Sequence, residues 1–160
     1  MTGPRMPVAL SLHLVAACTA LCTFSGIVRS DAPADQYDLA IEVVTDRKTG
    51  LTWQRNVDGA ARYDLAAGMT YCGQLQLDGS GWRLPGLKEL LTLVDPTRYK
   101  PAIDPKAFPQ TPADLFLSSS HDRRVINGGT WRVDFANGVT AVGSPTLPSR
   151  VRCVRTGGGT

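Results

Sequence analysis

Two cysteines in the body of this chain, Cys72 and Cys153, constrain its fold more than any other feature. The 160 residues contain four cysteines, and the other two, Cys18 and Cys22, sit in an apolar N-terminal stretch. Val8 to Val28 carries no charge, Arg5 precedes it, and Ala32-Pro33-Ala34 follows as a small-x-small cleavage site. Residues 1–34 therefore read as an export signal. Ser, Thr, Gly and His dilute the stretch, which favours cleavage over a retained anchor and leaves no stable transmembrane segment afterwards. Val15-Ala16-Ala17-Cys18 also has the form of a lipobox, with Cys18 as the lipidated residue. The expected location is outside the cytoplasm: periplasmic, secreted, or an outer-membrane lipoprotein if Cys18 is lipidated. An even cysteine count in an oxidising compartment implies a disulfide; the alternative is two free thiols, one of them reactive. The ring a disulfide would close spans 81 residues.

The remainder allows one domain, residues 35–155, and a glycine-rich tail, 156–160, expected to be flexible. Apolar residues make up 42% and charged residues 19%, which argues against disorder. The net charge of +3 is too mild for a polybasic nucleic-acid binder, and no nucleic-acid partner is expected. Ile41-Glu42-Val43-Val44, the turn set Asp46-Arg47-Lys48-Thr49-Gly50 and the alternating Leu51-Thr52-Trp53-Gln54 read as a hairpin. Leu65, Met69, Cys72, Leu75 and Gln76 form one helical stripe, and Leu87, Leu90, Leu91 and Val94 another. Five prolines between residues 96 and 112 mark a long stiff loop, with Ile103 and Phe108 as apolar anchors. Strands follow at Leu115–Leu117, Trp131–Phe135, Val139–Val142 and Arg150–Arg155, with Asn137-Gly138 as a hairpin turn. The fold class is α+β: two helices, antiparallel strands, long loops and one disulfide joining the first helix to the last strand.

Several segments taken together resemble a known family. They are Asp46-x-x-Thr49-Gly50-Leu51-Thr52-Trp53-Gln54, Tyr71-Cys72, Gly81-Trp82-Arg83-Leu84-Pro85-x-x-Lys88-Glu89-Leu90, Ser118-Ser119-Ser120, Trp131-x-Val133-Asp134-Phe135-x-Asn137-Gly138, and Val151-Arg152-Cys153-Val154-Arg155. In this order they resemble the Lcl C-terminal domain family of exported bacterial proteins, over about residues 41–155. The resemblance implies a C-type-lectin-like fold, shared with the sulfatase activators, in which a disulfide ties the first helix to the last strand. Gly86 stands where the family usually has a threonine capping the second helix, and Leu117 where it usually has tryptophan.

Candidate chemistry is sparse. His121, beside three serines, lacks a nucleophile elbow and an ordered acid, so no catalytic residue is assigned and the chain is expected not to be an enzyme. Asp95 and Asp104 are isolated carboxylates, too few for calcium, and His121, the one histidine after residue 34, cannot complete a zinc site; no cofactor or metal is expected. The sulfatase-activator oxidase chemistry needs cysteines this body lacks. Late arginines can bind sulfated or acidic glycans bidentately. His121, Arg123, Arg124, Trp131, Arg132 and Asp134 are therefore the candidate ligand-binding residues, and the ligand is expected to be met through the long proline-rich loop and the loops around residues 118–129. The expected function is an exported, non-enzymatic recognition domain for a glycan or surface protein. The alternative is a structural or assembly component of the cell envelope.

Overall fold

The computed structural model describes residue 3 and residues 36–125 and 128–157. The signal read in residues 1–34 and the end of the tail, 158–160, lie outside the described residues. Among the described residues, seven strands and two helices occur in the order β1 (Tyr37–Leu39), β2 (Val43–Asp46), β3 (Leu51–Gln54), α1 (Leu65–Gln74), α2 (Leu87–Leu91), β4 (Leu115–Asp122), β5 (Gly129–Asp134), β6 (Val139–Gly143) and β7 (Val154–Thr156). They form two antiparallel sheets, one ordered β1-β2-β3-β7 and one ordered β4-β5-β6. The α+β expectation is met, with two helices and one disulfide, Cys72–Cys153, at a Cα–Cα distance of 5.5 Å.

Turn chemistry sets the first hairpin. The Asp46 carboxylate accepts from the Lys48 N–H and the Thr49 hydroxyl, both at 2.9 Å. Gly50 closes the turn at φ +70°, a conformation other residues rarely adopt, and donates to the Asp46 carbonyl at 2.8 Å.

Adjacent residues on several strands feed different cores. Val44, Phe116 and Val154 join Trp53, Leu90, Leu93, Ile103, Phe108, Val133 and Phe135 in one cluster. Val43, Leu117 and Cys153 join Cys72, Trp82, Leu84 and Val151 in a second. Side chains alternate along a strand, so strands buried on both faces lose the apolar–polar rhythm of a half-exposed sheet. β3 shows this: Thr52, Trp53 and Gln54 are all buried, against the half-buried strand its alternation suggests.

The helices differ in detail from their stripes. Asp64 caps α1 by accepting from the Ala67 N–H at 2.8 Å. The buried positions of α1 are Gly68 and Cys72, while Met69 is exposed. A Cβ at Gly68 would lie 3.1 Å from Val151 Cγ2 and 3.4 Å from Leu117 Cδ2. The inward face is thus centred on a glycine, which an apolar count passes over. At α2, Gly86 offers no side-chain acceptor, and the Ser120 hydroxyl of β4 supplies one, accepting from the Leu87 N–H at 2.9 Å. Glu89 accepts from the Gly86 N–H at 2.8 Å and pairs bidentately with Arg83 at 2.6 and 2.7 Å.

The proline-rich loop is built into the core rather than projecting from it. Ala102, Ile103 and Phe108 are fully buried. Ala102 N–H donates to the Phe135 carbonyl at 2.7 Å, and Lys100 N–H to the Ala136 carbonyl at 3.0 Å. These bonds tie the loop to the β5–β6 turn.

The segment before β7 joins the two sheets. Arg150 exchanges backbone bonds with β4, through Leu115 and Leu117, and the Cys153 carbonyl accepts from Gln54 of β3. The chain then pairs along β3, with Trp53 opposite Val154. The regular strand is therefore shorter than the Arg150–Arg155 run and shifted past it, because its first half serves the other sheet. It also extends into the residues read as tail: Thr156 pairs with Leu51, and Gly157 N–H donates to the Gly50 carbonyl at 2.9 Å.

An acid-sensitive clasp holds this crossing. Asp114 accepts from Arg62 at 2.6 Å and Arg150 at 3.1 Å. Partial burial pushes its carboxyl up, but the Leu115 N–H and the two guanidinium groups outweigh that and hold it below the usual range. A depressed carboxyl stabilises fully above its unfolded value of about 4, and that contribution is lost as pH falls through the folded value. Asp114→Asn should therefore lower stability at pH 7 and flatten its decline below about pH 4. Urea melts across pH check this; an unchanged acid slope would remove Asp114 from the account.

Candidate functional site

The structure divides the predicted ligand-binding residues into two sets. His121, Arg123 and Arg124 are exposed at the end of β4, and Trp131 is half-buried on neighbouring β5. The Arg124 guanidinium lies over the Trp131 ring, 5.8 Å from its centroid. Arg124 also pairs with Asp122 through bonds of 2.8 and 2.9 Å, and this contact holds the Asp122 carboxyl below its ordinary value. His121 belongs to β4, opposite Thr130, and not to a loop as expected. The strand runs on through the serines because their hydroxyls find partners: Ser118 donates to the Trp131 carbonyl at 2.8 Å and Ser120 caps α2. A register shift between Leu117 and His121 absorbs the irregularity.

Arg132 and Asp134 do not belong with them. Arg132 is 1% exposed. Its guanidinium donates to Ser149 Oγ and to the carbonyls of Thr130, Ser144 and Leu147, at 2.7–3.1 Å. It anchors the 144–149 loop and presents no face to a ligand. Strand alternation separates it from Trp131, which lies on the opposite side of β5. The Asp134 carboxylate accepts from the Ala136 N–H at 2.8 Å and shapes the β5–β6 turn.

The other late arginines are also structural. Arg152 is fully buried, Arg150 binds Asp114 and the Ala61 carbonyl, and Arg155 binds Asp78 and stacks 5.2 Å from Trp82. Trp53 and Trp82 are buried as packing residues. The arginine surface thus reduces to Arg123 and Arg124.

A second place escaped the sequence reading. A cavity of about 450 Å³ opens between the β2–β3 turn and the chain that follows α2, lined by Tyr37, Asp46, Thr49, Leu91–Thr97 and Asp104 among others. Its carboxylates come from three separate segments, so no local motif announces them. The only signal was Asp95-Pro96 and Asp104-Pro105 within the long loop. Asp95 accepts from the Thr97 N–H and hydroxyl and from Arg98. Among the described residues, no group of three or more His, Cys, Asp or Glu is arranged to hold a metal ion.

The family model of the Lcl C-terminal domain matches residues 42–155. The chain belongs to that family. The match spans β2 through most of β7; it includes the arginine surface and most of the cavity lining, but not Gln36 and Tyr37. No curated protein and no solved structure gives a significant match to this Lcl C-terminal domain. Among the described residues, no helix is long and apolar enough to cross a membrane, and the disulfide is consistent with an extracytoplasmic domain.

Proposed function

We propose that this Lcl C-terminal domain is an exported, non-enzymatic recognition module of C-type-lectin-like architecture. Its ligand is an acidic or sulfated glycan met at the end of β4 and β5. The observation that carries the reading is the stack of Arg124 on Trp131, beside exposed Arg123 and His121. A guanidinium held over an aromatic face is kept in place for bidentate contact with a sulfate or carboxylate, and the ring offers a surface for a sugar. Asp122 reduces the net charge there, so the affinity expected is modest and salt-sensitive.

A glycan array with the oxidised protein, run with calcium and with chelator, tests this. Binding to sulfated glycans should fall about tenfold in the Arg123→Ala, Arg124→Ala double variant. Unchanged binding in that variant would remove the site. A blank array in both conditions would remove the glycan and favour the envelope-component reading. One feature supports that second reading: β6, Val139-Thr140-Ala141-Val142-Gly143, is an edge strand with neither charge nor proline, the devices that usually block strand pairing.

A further inference from the structure

We propose that β6 pairs edge to edge with β6 of a second copy of this chain, antiparallel and centred on Ala141. The other sheet edges are closed. Arg150 bonds to the outer side of β4, through Leu115 and Leu117 at 2.9 and 2.8 Å. Arg83 bridges β7, exchanging backbone bonds with Val154 at 2.8 and 3.0 Å. β1 has three residues and carries the Asp38–Arg47 ion pair. β6 has five residues, and among the described residues nothing pairs with its outer side. Short strands, charges and covering segments are the usual protection of an edge, and of these four only β6 lacks them all.

A second copy is the occupant because β6 fits itself. Full overlap of two such strands about a two-fold axis sets Val139 against Gly143, Thr140 against Val142 and Ala141 against its own counterpart. On one face, Thr140 and Val142 form a β-branched cross-strand pair. Val142 there belongs to an exposed apolar group: it lies opposite Trp131 and meets Val125 over Gly129, where a Cβ would lie 2.5 Å from Val142 Cγ1 and 3.1 Å from Val125 Cγ2. On the other face, Val139 settles on Gly143, beside Leu147, whose Cδ2 would lie 3.1 Å from a Cβ at Gly143. Val139, Val142 and Leu147 are all exposed in the single chain. The strand carries no charge, so a chain of net charge +3 brings no like charges together along it. Five residues a side is well below the roughly 20–30 of a standard interface, which sets a weak dimer with a Kd of about 100 µM. The pairing puts the two Arg124–Trp131 stacks on one sheet face, about 15 Å apart. A long sulfated chain can then meet both, a consequence that rests on the glycan reading while the pairing does not.

Sedimentation velocity of the oxidised chain, from about 10 µM to 1 mM and without any glycan, tests the pairing. The sedimentation coefficient should rise with concentration and level at the dimer, because a two-fold contact closes on itself. Thr140→Lys and Val142→Glu, both at exposed positions, should each weaken association about tenfold. The two combined in one chain should restore it, since the register sets position 140 of one copy against 142 of the other. A monomer throughout, growth beyond the dimer, unchanged association in both single variants, or a double variant no better than the singles would each overturn the proposal. The concentration series needs no variant, so it decides even where a substitution prevents folding.

Discussion

Cys72→Ala, Cys153→Ala and the double variant should each lose about 4–5 kcal/mol of stability, and the same amount in all three. The size follows from the 81-residue ring that the disulfide closes, because a longer ring removes more freedom from the unfolded chain. The loss is comparable to the whole stability of a marginal domain, about 5–15 kcal/mol. Both sulfurs are fully buried, packed with Trp82, Leu84, Leu117 and Val151, so replacing them also leaves small voids. Urea unfolding of the three variants, and of the parent with and without reductant, measures this. Losses that add in the double variant would contradict a shared bond.

Arg152→Met should cost about 3 kcal/mol and loosen the proline-rich loop before the rest of the domain. Two effects oppose each other. Burial disfavours the charge and pulls the Arg152 pKa down, with no carboxylate to compensate it. Against this, the guanidinium donates to the Gln54 and Arg55 carbonyls at 2.6 and 2.7 Å and to the Thr111 hydroxyl at 2.7 Å. It also lies 4.7 Å from the Phe108 ring centroid and 5.9 Å from that of Phe116. Hydrogen bonds to a charged donor contribute about 1.5–3 kcal/mol each, and their buried acceptors are left without a partner when it goes. Three such bonds outweigh the relief of desolvation. Thr111 and Phe108 belong to the loop, so protease cleavage within 96–112 should rise first. Unchanged or increased stability would mean that desolvation dominates.

The sequence carried the elements better than the faces. The β2–β3 turn and the Asn137-Gly138 turn were legible because Asp, Asn and Gly act locally on their own backbone. On α1, Leu65, Cys72 and Leu75 face the core as read, but Met69 is exposed and Gly68 was passed over, because its role depends on Val151, 83 positions away. Arg132 and Arg152 look like surface cations until their acceptors are known, and those acceptors are backbone carbonyls on other segments. Carbonyls carry no sequence signature, so a buried arginine without a carboxylate partner cannot be told from an exposed one. The same limit hid the cavity: Tyr37, Asp46 and Asp104 meet only after the sheet and the loop are in place.

The crossing segment at 149–156 has a consequence for the order of assembly. The second edge of β3 has to wait for β7, with Leu51 opposite Thr156, and Cys72 has to wait for Cys153. A chain emerging from its N-terminal side can form the β2–β3 hairpin and α1 early, but the seam between the sheets stays open. The bond that locks the domain thus forms only once the chain has arrived as far as Cys153. Oxidation of this pair is in effect a completeness check, which a copy interrupted before that point cannot pass.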